Sequence, residues 1–412
     1  MRLLIRGGTA VDTDPVSARA ADVLVEDGRI AAIGPDLPPP AGVEILDATG
    51  MFVLPGFVDT HRHTWQAGIR ALGPDISFAG YLELVLGTLA PRYQPDDVHV
   101  GTLAGALECL DAGITTVVDW SHIQHTPDHT AAALDALRQS GIRAVFGYCV
   151  SDPDVAVARR VLDATGGLVT MAMAPFGPEI IDEEAALREW RVARELDLPV
   201  TVHMGGHGAG SAERGLDFLS RNGLLSPRTS YAHGNSYSDD ALARIAHSGG
   251  ALSVSPIVEA ELGLGAPITG RALAAGAPTG LGADTVVSGP GDMFSLMRAA
   301  YAMERLRSGL TTRDILGVAT IGGARTAGLG DVVGSLAVGK QADLVLLRTD
   351  LPGVAPAHDP VGAIVLSMDT RAVDTVLVGG RIVKQDGRLL DHNVTKVLAA
   401  LGESGMRVAT TA

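Results

Sequence analysis

Leu54-Pro55-Gly56-Phe57-Val58-Asp59-Thr60-His61-Arg62-His63 is an apolar run that enters from a turn and ends in two histidines. Residues two apart on a β-strand point to the same side. Both imidazoles therefore face one way and Arg62 the other, so the pair can grip one cation. A lone His-x-His is a weak signal, more often a piece of surface strand, and the rest of the chain sharpens it. Strand-like apolar runs recur at 52–58, 114–119, 142–148, 168–174, 199–203, 229–233, 251–255 and 278–284. Helix-like stretches separate them at 96–111, 128–140, 182–196 and 238–248; in the first of these Leu103, Leu107 and Leu110 share a face. Eight short buried strands alternating with helices predict an α/β fold, a (β/α)8 TIM barrel. The competing arrangement is an open doubly wound sheet, but its Gly-x-Gly-x-x-Gly loop is absent after the first strand.

A barrel carries its chemistry at the C-terminal ends of its strands. Here those ends hold His61 and His63, Asp119 and His122, Tyr148 and Cys149, Glu179, His203, His233, Ser255 and Asp284. Both termini have a different grammar. Residues 23–26 and 29–33 flank Asp27-Gly28, a hairpin signal, and residues 373–378 and 381–384 flank Gly379-Gly380. These pieces predict one small β-sandwich domain from residues 1–55 and 330–412 around a catalytic barrel of 56–329; two unrelated hairpin extensions are the alternative.

The opening motif resembles that of the amidohydrolase superfamily, and nearly the whole chain follows that plan. Thr201-Val202-His203 looks like the family's fifth-strand ligand, Tyr231-Ala232-His233-Gly234 like its sixth-strand histidine, and Gly280-Leu281-Gly282-Ala283-Asp284 like its eighth-strand Gly-x-Asp. Residues 324–327, 333–336 and 339–345 look like its exit into the β-sandwich. The nearest flavour is the cytosine deaminase, guanine deaminase and chlorohydrolase branch. The resemblance implies one Zn²⁺ per chain on His61, His63, His203 and Asp284, with Fe²⁺ or Mn²⁺ fitting similar ligands. Such an ion lowers the pKa of bound water toward about 7. Asp284 is then expected to relay the water's proton as well as ligate, and His233 to polarise the substrate. Binuclear relatives often bridge two ions with a barrel lysine, whereas lysine occurs here only at Lys340, Lys384 and Lys396. A mononuclear centre is therefore expected.

One position departs from the branch. A glutamate usually follows the fifth-strand histidine by three residues and carries the proton to the leaving nitrogen; here that position is Gly206. His207 in the following Gly-rich loop and His122 at the second strand's exit are candidate stand-ins, because imidazole moves protons near neutral pH. Glu179 either reaches the substrate or caps the helix that follows it. Trp65 and Gln66 offer an indole and an amide to a planar ring, and Phe176 and Tyr148 are further candidate contacts. The reading is a metal-dependent hydrolase of a carbon–nitrogen bond in a small cyclic or heteroaromatic molecule. The missing glutamate leaves open a lyase, decarboxylase or hydratase on the same site. A non-catalytic scaffold is the third alternative, opposed by retention of all four ligands.

The bulk numbers agree. The 412 residues are 46% hydrophobic and 19% charged, a globular balance, with a formal net charge of -15. A polyanion needs a basic face, so nucleic acid is not an expected partner. No apolar run is long enough for a membrane span and no signal peptide is evident, which makes cytoplasm the expected location. Two cysteines, Cys109 and Cys149, make no disulfide framework. The family likeness also suggests a homodimer.

Overall fold

Gly56 divides the opening motif between two sheets. In the computed structural model, which describes residues 2–410, Met51–Pro55 belongs to the small β-domain and Phe57–Arg62 is the first barrel strand. The expected single strand over 52–58 is therefore two. A methyl group at residue 56 would collide with the Thr115 side chain, so the crossing requires glycine.

The barrel strands are β1 (Phe57–Arg62), β2 (Ile114–Ser121), β3 (Arg143–Tyr148), β4 (Val169–Met173), β5 (Val200–Met204), β6 (Thr229–His233), β7 (Ala251–Val254) and β8 (Thr279–Leu281). Each pairs in parallel with the next, and β8 closes on β1. Parallel strands covered by helices are buried on both faces, and β2 is buried along its whole length. The helices begin and end on expected signals. Asp182 caps Glu183–Glu195 by accepting from Ala185 N at 2.9 Å, Ser238 caps Asp239–His247, and Gly141 ends Pro127–Ser140 in a left-handed conformation.

Alternation along the strands builds the interior in layers. Val118, Val145 and Ala172 meet Ala327 and Leu329 at the bottom. Trp120, Cys149 and Ala174 form the layer above, together with Phe176. The opposite parity sends Phe146 and Tyr148 outward into the helix layer.

The small domain joins both ends of the chain, as expected, and excludes the two-extension alternative. A four-stranded sheet takes Arg29–Gly34, Asp22–Glu26, Arg2–Arg6 and Glu44–Asp47 in spatial order. A seven-stranded sheet joins the N-terminal strands Thr9–Thr13 and Met51–Pro55 to the C-terminal strands Leu344–Arg348 and Val373–Val378, meeting where Met51–Pro55 pairs antiparallel with Leu344–Arg348. Leu3, Ile5, Val23, Val53, Leu344 and Leu377 fill the space between them. The C-terminal boundary differs from the expectation, because two helical pieces inside 330–412 lie on the barrel. Ile364 and Val365 join the barrel's outer core. Helix Val394–Thr410 is pinned by the buried Asp97 carboxylate, which accepts from Ser404 Oγ at 2.6 Å and pairs with Arg407.

Candidate active site

His61 Nε2, His63 Nε2, a His203 ring nitrogen and an Asp284 carboxylate oxygen lie within 4.8 Å of one another at the top of the barrel. The fourth member is placed by backbone bonds. Asp284 N donates to His61 O at 2.8 Å, and His63 N donates to Asp284 O at 2.9 Å. The extra strand ladder works only because the chain is glycine at 282, where a Cβ would stand 2.7 Å from His61 O and 2.9 Å from His61 N.

The side chains then converge. Asp284 Oδ1 is 3.1 Å from His63 Nε2 and 3.3 Å from His61 Nε2, which is itself 3.0 Å from His203 Nε2. Ligands held about 2.0–2.2 Å from one ion at tetrahedral angles stand about 3.3–3.6 Å apart, so the donor set fits a divalent metal with little adjustment. His63 Nδ1 lies 2.8 Å from Trp120 O and donates to it, which turns the lone pair of Nε2 toward the centre. Burial pushes His61 down to about 4 and His203 and His122 well below the ordinary histidine value, so these rings are neutral. Burial alone acts to raise Asp284, but the adjacent His61 and His63 rings prevail and hold it well below the usual carboxylate range.

His233 faces the same point. Its Nε2 is 3.9 Å from Asp284 Oδ2, and its Nδ1 is 3.4 Å from Glu259 Oε1. Burial works against the charged ring, yet the Glu259 bond and the Asp284 charge raise its pKa. His233 and Asp284 both adopt left-handed backbone, with φ of 81° and 57°, a strain of about 1–3 kcal/mol each that the surrounding strands hold in place.

A cavity of about 280 Å³ opens beside this cluster. His63, His203, His233 and Asp284 form one wall, with His122, Glu179, Phe176, Gly206 and His207 around it. Glu179 does not cap the following helix, a task done by Asp182. Its buried carboxylate accepts from Gly205 N at 2.7 Å, and its Oε2 is 3.3 Å from His207 Nδ1. At Gly206 itself an added Cβ would meet only His233 Cβ and Cδ2, at 3.8 and 3.9 Å.

Three expected substrate contacts lie outside the cavity. Trp65 is fully buried, edge-on to Tyr93 at 5.0 Å, because the chain after His63 folds into the short helix Thr64–Ile69 behind the site. Gln66 lies in the same helix and donates to Tyr81 Oη at 2.7 Å, so it orients a cavity residue from behind. Tyr148 has the outward parity of β3. Sequence reasoning missed Trp120, whose ring underlies His203 at 4.1 Å, and Glu259 behind His233. It also missed the cover, helical segments Phe78–Tyr81 and Leu82–Leu89, which bring Phe78, Tyr81, Leu82 and Leu86 over the cavity. The apolar spacing at 78, 81, 82, 85, 86 and 89 is the helical signal that was there to be found.

A closed (β/α)8 barrel with three imidazoles and a carboxylate at its C-terminal mouth defines a metal-dependent hydrolase scaffold. The model of the Amidohydrolase family matches residues 52–383, and the chain belongs to that family, hydrolases of carbon–nitrogen bonds other than peptide bonds. The chain is 30% identical to 5-methylthioadenosine/S-adenosylhomocysteine deaminase of Desulforudis audaxviator, covering 99% of each chain. It is also 30% identical to 8-oxoguanine deaminase of Pseudomonas aeruginosa over 97% of each. Among solved structures, a zinc-bound adenosine deaminase from Xanthomonas campestris superposes with a TM-score of 0.90 at 23% identity, over 99% of each chain. No helix among the described residues is long and apolar enough to cross a membrane.

Proposed function

We propose that this chain is a zinc-dependent deaminase that replaces an amino group on a small heteroaromatic ring, of the purine kind, with one ion per chain. A divalent ion on His61, His63, His203 and Asp284 would supply a hydroxide-like nucleophile at neutral pH by acidifying water. Asp284 accepts the proton released on attack. His233, its Nδ1 held by Glu259, donates from Nε2 to the ring atom where charge develops. Glu179 and His207 together carry the proton to the departing nitrogen, and His122 borders the ring from the second strand.

The observation that carries this reading is the position of Glu179. Gly206 leaves its own loop without a carboxylate, which by itself favours the elimination, decarboxylation or hydration alternative. The neighbouring loop supplies one against Gly205, on the wall that His233 shares. An ammonia-release assay over purine bases and nucleosides, run beside metal analysis, tests the proposal. We expect about one zinc per chain and ammonia from at least one ring. Stoichiometric zinc with no ammonia across the panel would favour the non-hydrolytic alternative.

A further inference from the structure

The wall away from the His63, His203 and Asp284 cluster is mostly apolar, with His207 edge-on to Phe78 at 5.5 Å. It comprises Phe78, Tyr81, Leu86, Phe176, Leu262 and Leu264, with Leu82 and Ile180 partly exposed at the mouth. Among the described residues no lysine or arginine lines the cavity, and its carboxylates, Glu179 and Asp284, are both acidic. The nearby guanidinium of Arg62 is turned behind β1, toward Asp59, Glu108 and Gly291 O. Arg70 is likewise committed to Glu108. The whole chain adds a net charge of -15, which disfavours the approach of anions. At about 280 Å³ the cavity also lies at the lower edge of the range for small-molecule sites, about 300–1,000 Å³.

We infer that the cavity selects an uncharged ring whose far end is small or apolar, and rejects molecules that carry a phosphate or an amino-acid tail at that end. This selection rests on the deaminase reading for its chemistry, but not for its binding preference. A phosphate or carboxylate pushed against the apolar wall would lose water and find no lysine or arginine, and a poorly paired buried charge is disfavoured strongly enough to cost at least about 100-fold in kcat/KM.

Matched pairs test the point on the zinc-loaded enzyme: adenosine against its 5′-monophosphate, and 5′-methylthioadenosine against S-adenosylhomocysteine. The uncharged member of each pair is expected to be favoured at least about 100-fold. Ile180→Arg, which sets a cation at the mouth, is expected to narrow that gap about 10-fold for the phosphate. A charged member within fivefold of its partner would overturn the inference. Titration calorimetry with the same four molecules reads the preference independently of turnover. If none of the four is deaminated, adenine-type rings are excluded as substrates and calorimetry alone decides: tight binding of the charged members sinks the selectivity claim and their exclusion upholds it.

Discussion

Glu179→Gln removes a charge and a proton carrier while keeping the shape of the loop. The glutamine oxygen can still accept from Gly205 N, the 2.7 Å bond that holds the loop after β5. What is lost is the second oxygen, 3.3 Å from His207 Nδ1, and with it the acid–base function. Loss of a positioned proton carrier costs about 10²–10⁴ in rate, or about 3–5 kcal/mol of barrier. We therefore expect kcat for ammonia release to fall by at least about 100-fold, with KM little changed and zinc content unaltered. A second substitution separates chemistry from structure. Position 206 has no positive φ and room beyond its Cα, so glutamate there is unstrained, unlike at the left-handed Gly205. Adding Gly206→Glu to the first variant should return at least about 10-fold of the lost rate. Full activity in Glu179→Gln refutes the relay, and loss of zinc in that variant would assign Glu179 a structural task instead.

Further expectations concern the supports of the site. Gly282→Ala forces a methyl against the His61 backbone, so zinc content and activity should fall together while circular dichroism stays barrel-like; normal zinc uptake would remove the close-approach argument. Asp97→Ala removes the buried acceptor of Ser404 Oγ and Gln94 N and should lower unfolding free energy by about 1–3 kcal/mol in urea titration. Burial pushes Glu189, which accepts from Phe176 N and Gly177 N, up to about 7. Its folded form binds the proton more tightly than its unfolded form, so its contribution is present below about pH 4.5 and lost as pH rises through about 7, at most about 3 kcal/mol. Relative to Glu189→Gln, the native chain should therefore lose stability between pH 5 and pH 8, and parallel pH profiles for the two would contradict this.

The barrel was legible because its strands are continuous apolar runs closed by polar residues, and that pattern needs no tertiary knowledge. The convergence of the four candidate ligands was legible for the same reason: each lies at or beside the end of a strand, and strand ends share one face of the barrel. The split at Gly56 was hidden because both halves are apolar and only the collision with Thr115 separates them. Tyr148 was misplaced by one residue of parity, which a strand end alone does not fix. Glu179 carried two local readings, and a cap was excluded only when Asp182 proved to hold that position. Trp65 looked like a ring platform because it follows the histidines, but the helix Thr64–Ile69 carries it into the core.

The two main-chain bonds between Asp284 and the histidine pair tie the site to the closure of the barrel. Nearby, Ala283 N donates to Asp59 Oδ1, joining residues 224 apart in the chain. The stitches that shut the ring are the ones that bring Asp284 to the histidine pair, so a barrel open at this seam lacks the fourth member of the cluster. The seam that closes the ring therefore also sets Asp284 against the histidine pair, and a loosening there would reach the proposed ligand set directly.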